Sequence, residues 1–230
     1  MNVTVIQRPK RPLKALYFAV RQCTSYSPEP LNDKEDHEKI LYYIKQALSS
    51  GHDSILEHIS YTFRISDISR ACSHQLVRHR LASICQVSQR YVSNQETATV
   101  IPDKIQNNPE LLDKAKTLIE QSHDFYNMCL TNGIPKEDAR YLLPEGTYTS
   151  LVITMNVREI LHFLNLRCCY RAQWEIRKVA WAIQRILSND LPFMQNCIGP
   201  QCWKLGHCPE TRKCSKYNKE LDILPKGVIE

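Results

Sequence analysis

Arg78-His79-Arg80-Leu81-Ala82-Ser83-Ile84-Cys85-Gln86-Val87-Ser88-Gln89-Arg90-Tyr91 is the stretch from which the rest of the chain is read. Three arginines stand beside two serines, a histidine and a terminal tyrosine, and only Leu81, Ala82, Ile84 and Val87 are plainly apolar. A run that merely solvates itself spreads its charges along one face, and most charge runs do so. Here planar guanidiniums and small hydroxyls are interleaved. Guanidinium forks match the geometry of phosphate and carboxylate, and serine hydroxyls reach the acceptors that remain. The run reads as a pocket for a phosphorylated planar ligand, with a self-solvated basic loop as the alternative.

Working outward, residues 66–77 read as a helix capped by Ser66 or Asp67 that delivers this run at its C-terminal end. Residues 59–65 alternate like a half-buried strand. Residues 33–49 carry Ile40, Leu41, Ile44, Ala47 and Leu48 on one helical face, and Gly51 stands where a helix ends. Thr4 and Ile6 belong to an N-terminal strand, and Leu16-Tyr17-Phe18-Ala19-Val20 reads as a second short one. Downstream, residues 92–107 read as irregular chain. Asn108-Pro109 opens the clearest helix, a cap followed by proline at the first position, and Gly133 closes it. Its stripe is Leu112, Ala115, Leu118, Ile119, Phe125, Met128 and Cys129. A short helix follows from Pro135 to before Pro144, then a β-branched strand from Thr147 to Met155. Helices follow at 157–167 and 173–188, with Trp174 expected in the core. Strands and helices mix without regular βαβ alternation, so an α+β fold is expected. No glycine-rich dinucleotide loop is present.

The chain has 230 residues, enough for one ordinary domain with a small appendage. Hydrophobic residues make up 43%, which places it among globular proteins. No apolar run is long enough to span a bilayer. Met1-Asn2-Val3-Thr4-Val5-Ile6 is not a signal peptide, so a cytoplasmic protein is expected. Lysine and arginine exceed aspartate and glutamate by 30 − 24 = 6, which favours anionic partners. Nucleic acid is one such partner and anionic small molecules are another. No lysine-rich tract of the kind that tracks a phosphate backbone is present.

Six of the ten cysteines are scattered and read as buried thiols of a reducing compartment. The other four, Cys197, Cys202, Cys208 and Cys214, fall close together, with His207 among them. They could wrap a tetrahedral metal, as zinc or an iron–sulfur centre, or form a loose tail of free thiols. The expected organisation is a main domain over residues 1–192 and a Cys-rich extension over 193–230.

The run around Arg78 resembles the signature of the flavin-dependent thymidylate synthases: Arg-His-Arg, two free positions, Ser, one free, Asn, two free, Ser, one free, Arg-Tyr. Seven of its eight fixed positions match, and Cys85 replaces the asparagine. Further blocks follow the family's order. They are Gly51-His52-Asp53-Ser54-Ile55-Leu56-Glu57-His58, Ala139-Arg140-Tyr141-Leu142-Leu143-Pro144 and Asn156-Val157-Arg158. Two more are His162-Phe163-Leu164-Asn165-Leu166-Arg167 and Ala172-Gln173-Trp174-Glu175-Ile176-Arg177. The likeness covers roughly residues 10–190, and several ordered blocks are far more specific than one.

The resemblance implies a central, mostly antiparallel sheet flanked by helices. It implies reductive methylation of dUMP to dTMP, with 5,10-methylenetetrahydrofolate as carbon donor and NADPH as reductant through FAD. A homotetramer with active sites at subunit interfaces is implied, with no nucleic-acid and no membrane partner. FAD contacts carry over to His52, Ser54, Arg78, His79, Arg80 and Gln86, and to Asn156, Val157, Arg158 and His162. dUMP contacts carry over to Gln75, Leu76, Val77 and Arg78, to Gln86, Val87, Ser88, Gln89 and Arg90, and to Arg140 and Arg167. Arg167 is the catalytic candidate, because a fixed cation stabilises negative charge developing on the uracil ring. Gln86 stands where the family often has a carboxylate, so that charge is absent here. No Pro-Cys-His block of the flavin-free synthases is present, and Ser88 has no paired base. Two other readings stand beside this one. One is a basic, zinc-binding nucleic-acid-binding protein. The other is a family member that binds FAD without synthase activity, motivated by Cys85.

Overall fold

A computed structural model describes residues 1–29, 36–95 and 98–221. Four strands form one antiparallel sheet: β1 (Asn2–Gln7), β2 (Ser60–Ser69), β3 (Ala82–Gln86) and β4 (Tyr148–Asn156), in the order β1-β2-β4-β3. The helices are α1 (Pro12–Gln22), α2 (His37–Ser49), α3 (Arg70–Leu76), α4 (Asp103–Gln106) and α5 (Pro109–Thr131). They continue with α6 (Lys136–Ala139), α7 (Val157–Arg167), α8 (Trp174–Asp190) and α9 (Gln201–Leu205). Short 3₁₀ segments lie at Asp53–His58, Arg140–Leu142 and Pro192–Met194. The α+β class is as the sequence leads one to expect. Part of the expected helix over 33–49 lies outside the described residues.

The chain divides into two compact units. The first comprises Met1–Asn2, Arg64–Arg78 and Ile84–Val152, and the second the remainder. The first unit buries Ile65, Ile68, Cys72 and Leu76 with Tyr126 and Leu151. The second buries Leu16, Ile40, Ile44, Phe63, Ile160, Phe163, Trp181 and Leu187. Each such aliphatic side chain contributes about 1.5–3 kcal/mol. Trp181, not Trp174, is the core tryptophan; Trp174 is half-buried under the Lys178 ammonium, 4.9 Å from its ring centre.

Residues 16–20 are helical and not a strand. Pro12 at the helix start fixes a helical φ, and Leu16 and Tyr17 turn inward toward α2, where the Tyr17 and Tyr43 rings meet at 5.9 Å. The α2 end is a two-bond C-terminal motif. The His52 N–H reaches the Ala47 carbonyl at 2.9 Å, and the Gly51 N–H reaches Leu48 at 3.1 Å. Gly51 sits at φ +79°, which a side chain would strain.

Strand β2 runs past residue 65 to Ser69, so the cap of α3 is Ser69 and not Ser66 or Asp67. The Ser69 hydroxyl accepts from the Cys72 N–H at 2.9 Å. The Arg70 and Ala71 N–H groups donate to the carbonyls of Thr147 and Glu145, so the start of this short helix is satisfied. Strand β3 lies inside the arginine-rich run, where the sequence pattern suggests none. It is only five residues long and half-exposed along its length.

Candidate functional site

The expected contact residues fall in both units. In the first unit, α3 places Gln75 at its last turn. Leu76 is fully buried, so its side chain belongs to the core. Val77 and Arg78 follow at the exposed helix end. Gln86, the last residue of β3, donates both amide hydrogens inward, to Ser73 Oγ at 2.9 Å and Thr149 Oγ1 at 3.1 Å. What Gln86 can offer a ligand is therefore an acceptor oxygen. Cys85, its neighbour, is exposed.

Beyond β3, Val87, Ser88, Gln89, Arg90 and Tyr91 form a turn in which the Tyr91 and Val92 N–H groups donate to the Ser88 carbonyl. Arg90 Nε donates to Glu137 Oε2 at 2.6 Å, and Arg140 Nε donates to the Glu137 carbonyl at 3.1 Å. Lys136 Nζ donates to the Tyr91 carbonyl at 3.0 Å. One residue, Glu137, thus gathers Arg90 and Arg140. Arg70 adds a further cation, lying 3.5 Å from the Val87 carbonyl. Burial, and then Arg140, hold its pKa below the usual arginine range, while Glu145 works the other way. The first unit therefore presents a cationic, hydroxyl-bearing surface suited to a phosphate.

In the second unit the centre is His79. It is 5% exposed, and its ring meets Phe163 at 5.0 Å and His162 at 5.8 Å, both edge-on. His79 Nε2 lies 3.3 Å from Arg167 Nε, and its Nδ1 lies 3.2 Å from Glu159 Oε1. Arginine can only donate, so Nε2 must accept, and the ring proton must sit on Nδ1 facing Glu159. His79 is therefore neutral. Its pKa is pushed down to about 4 by burial first, then by Arg167 and His162. Burial likewise raises the Glu159 carboxyl above its ordinary range, with His162 opposing. The contact between His79 and Glu159 is a hydrogen bond and not an ion pair at neutral pH. Among the described residues, the terminal nitrogens of Arg167 have no hydrogen-bond partner.

Asn156 caps α7, its side-chain oxygen accepting from the Glu159 N–H at 2.9 Å, so only its amide hydrogens remain for a ligand. Val157 is fully buried and its N–H is taken by the Ile59 carbonyl. Arg158 pairs with Glu57. Arg158 and His162, one helical turn apart, line a cavity of about 150 Å³ together with Asp53, Asn165, Cys197 and Lys204. Lys204 is held by Asp53 at 3.0 Å. The Asn165 Oδ1 is buried without a partner. His52, Ser54 and Arg80 are exposed. Exposed cations, a hydroxyl and an unsatisfied amide suit the diphosphate and polar chain of a flavin nucleotide.

A second cavity in this unit, of about 330 Å³, is bordered by Arg167, Cys169, Arg171, Cys202, Cys208 and Cys214, among others. Three of the four expected metal ligands are thus together, Cys197 lines the other cavity, and Cys169 joins the three. Burial first, and then the neighbouring thiols of Cys214 and Cys208, push the Cys169 thiol up. Among the described residues no three His, Cys, Asp or Glu side chains are placed to hold a single metal ion.

Sequence reasoning passed over Glu159, Glu137 and Arg70. Only Glu159 left a signal: it stands three positions after Asn156, the spacing of a helix-capping pair. Glu137 reaches Arg90 across 47 positions and Arg70 reaches Val87 across 17.

Among known proteins, the family model described as thymidylate synthase complementing protein matches residues 4–193. A flavin-dependent thymidylate synthase of Thermococcus kodakarensis is 42% identical, over 91% of this chain and 89% of its own. That of Pyrococcus furiosus is 37% identical over 100% of this chain and 94% of its own. That of Geobacter sulfurreducens is 38% identical over 91% of each. On the match of these ordered blocks, and on similarity across nearly the whole length, the chain belongs to the family of the flavin-dependent thymidylate synthases.

Proposed function

We propose that the chain catalyses reductive methylation of dUMP to dTMP, with 5,10-methylenetetrahydrofolate as carbon donor and NADPH as reductant through FAD. The observation that carries this reading is the fixed guanidinium of Arg167. Its Nε is anchored by a neutral imidazole. A cation preorganised in this way stabilises negative charge as it develops on a pyrimidine ring, without reorganising at the moment of reaction.

Arg90 and Arg140 of the first unit, gathered by Glu137, bind the phosphate of dUMP, with Ser88 adding a hydroxyl. The oxygen of Gln86 accepts from the uracil N–H. Arg78 and Gln75 complete the set, while Leu76, Val77, Val87 and Gln89 shape it through backbone and packing. In the second unit His52, Ser54, Arg80, Asn156, Arg158 and His162 hold FAD. When bound, FAD supplies the reducing equivalents.

Assembly as a homotetramer, with pockets drawing on several chains, fits α5. Of its 23 residues only Tyr126 is buried, while Leu118, Phe125 and Met128 are exposed in the single chain. A cytoplasmic location accords with this metabolism. No described helix is long and apolar enough to cross a membrane. Nothing in the relatives supports the nucleic-acid reading.

The test is anaerobic turnover of dUMP with methylenetetrahydrofolate, FAD and NADPH, beside an Arg167→Ala control, with light scattering for the assembly. dTMP from the wild type and not from the control is expected. A flavin-loaded tetramer that makes no dTMP would overturn the synthase reading.

A further inference from the structure

We propose that Cys169, Cys202, Cys208 and Cys214 ligate an iron–sulfur cluster of the [4Fe–4S] type. The four thiols border one cavity of about 330 Å³, and all lie in the second unit. Cys169 lies two residues past the end of α7, 33 positions before Cys202 (202 − 169), so the set is made by the fold and is invisible as a sequence spacing.

The segment carrying the other three is built rather than loose. Pro200 precedes α9, which holds Cys202, and Gly206 in the left-handed region (φ +73°) turns the chain toward Cys208. The Trp203 ring lies against Trp181 of α8 at 5.7 Å. A Cβ on Gly199 would fall 2.3 Å from the Trp203 ring, so only glycine permits that approach. Lys213 Nζ donates to the Cys208 carbonyl at 2.9 Å and lies 5.1 Å from the Tyr217 ring centre, and the Tyr217 N–H donates to the Cys214 carbonyl. None of the ten cysteines forms a disulfide.

Chemistry and size select the occupant. Four cysteines form a soft donor set, which favours zinc or an iron–sulfur cluster. A single zinc ion draws its sulfurs to roughly 4 Å from one another. Among the described residues no three such side chains are placed to hold a single ion, and the cavity that the four thiols border, about 330 Å³, has room for a cuboidal core. Ligated thiolates leave the centre negative, and Arg167 and Arg171 border it, Arg171 paired with Glu210. The core arrives preformed, by exchange from a thiolate-bound [4Fe–4S] donor: each cysteine thiol gives its proton to solvent as its sulfur replaces a donor thiolate on iron, so the iron and sulfide oxidation states are unchanged.

The inference is independent of the synthase reading, because its readout is metal content. The full chain, purified without oxygen from cells grown on iron-57, is assayed for iron, zinc and acid-labile sulfide and examined by Mössbauer spectroscopy, which the flavin does not affect. About four irons and four sulfides per chain are expected. Cys169→Ser and Cys208→Ser lose most of both, and Cys197→Ser keeps them. One zinc per chain without sulfide, no metal at all, or a cluster that survives Cys169→Ser but not Cys197→Ser would overturn the assignment. Should the variants fail to fold, the wild-type content alone decides.

Discussion

Arg90 of the first unit and Arg167 of the second are held in opposite ways. In the first, Arg90 is exposed and paired with an exposed carboxylate; the side chains of Arg90 and Glu137 are 55% and 45% accessible. In the second, Arg167 is anchored by a histidine whose side chain is 3% accessible. An exposed pair is screened by water and salt, and contributes roughly 0–1 kcal/mol. A buried contact cannot be replaced by water when it is lost. One arrangement suits binding a phosphate that must come and go. The other suits fixing a cation against a ring on which charge develops.

The contrast gives an order of expected effects. Arg167→Ala should lower kcat by about 10²–10³-fold, the usual cost of one preorganised group, measured in anaerobic single turnovers. Glu159→Gln should lower kcat by on the order of ten- to a hundredfold with KM for dUMP little changed. Its amide can donate to Nδ1 and turn the ring proton toward Arg167 Nε, so two donors would face each other. A KM change with unaltered kcat would show that Glu159 does not position Arg167.

Next is stability against pH. The His79 pKa is depressed in the folded state, to about 4, against about 6.5 unfolded. The unfolded chain therefore binds the proton first as pH falls, and stability is lost between pH 6.5 and 4. From pH 7 to pH 5 the wild type should lose about 2 kcal/mol more than His79→Gln in urea unfolding. Glu159, raised by burial, works the other way near the carboxylate range, and it is common to both proteins. Equal losses would remove the neutral-histidine assignment. Smallest is Glu137→Gln. Unfolding free energy should move by no more than about 0.5 kcal/mol, and dUMP affinity should change by only a few-fold. A hundredfold change in kcat from this variant would erase the distinction between Arg90 and Arg167.

Legibility in the sequence divides along physical lines. Helix α5 reads directly, because Asn108 caps it and Pro109 starts it. So does β4 leading into α7, where nine alternating residues end on the Asn156 cap. Residues 16–20 mislead, since five consecutive apolar positions show no period and the helix they occupy is decided by Pro12 and by packing on α2. Strand β3 is hidden by the chemistry it carries. Ser83 and Cys85 face outward from a short strand, and Gln86 turns in only because Ser73 and Thr149 await it. At the candidate site, the motif residues are legible one by one. Their supports, Glu137 at 47 positions from Arg90 and Glu159 at 80 from His79, are set by the fold. The thiol cavity mixes both kinds. Three of its cysteines are visible as a cluster in the sequence, and Cys169 is visible only in the fold.

The position of His79 between Glu159 and Arg167 has an electrical consequence. Had the carboxylate touched the guanidinium directly, its negative charge would have cancelled much of the positive field that the arginine projects. The uncharged imidazole acts as an insulator. It transmits direction from the acid to the arginine while keeping the two charges a ring's width apart, so Arg167 is aimed like the partner of a salt bridge and remains a net cation.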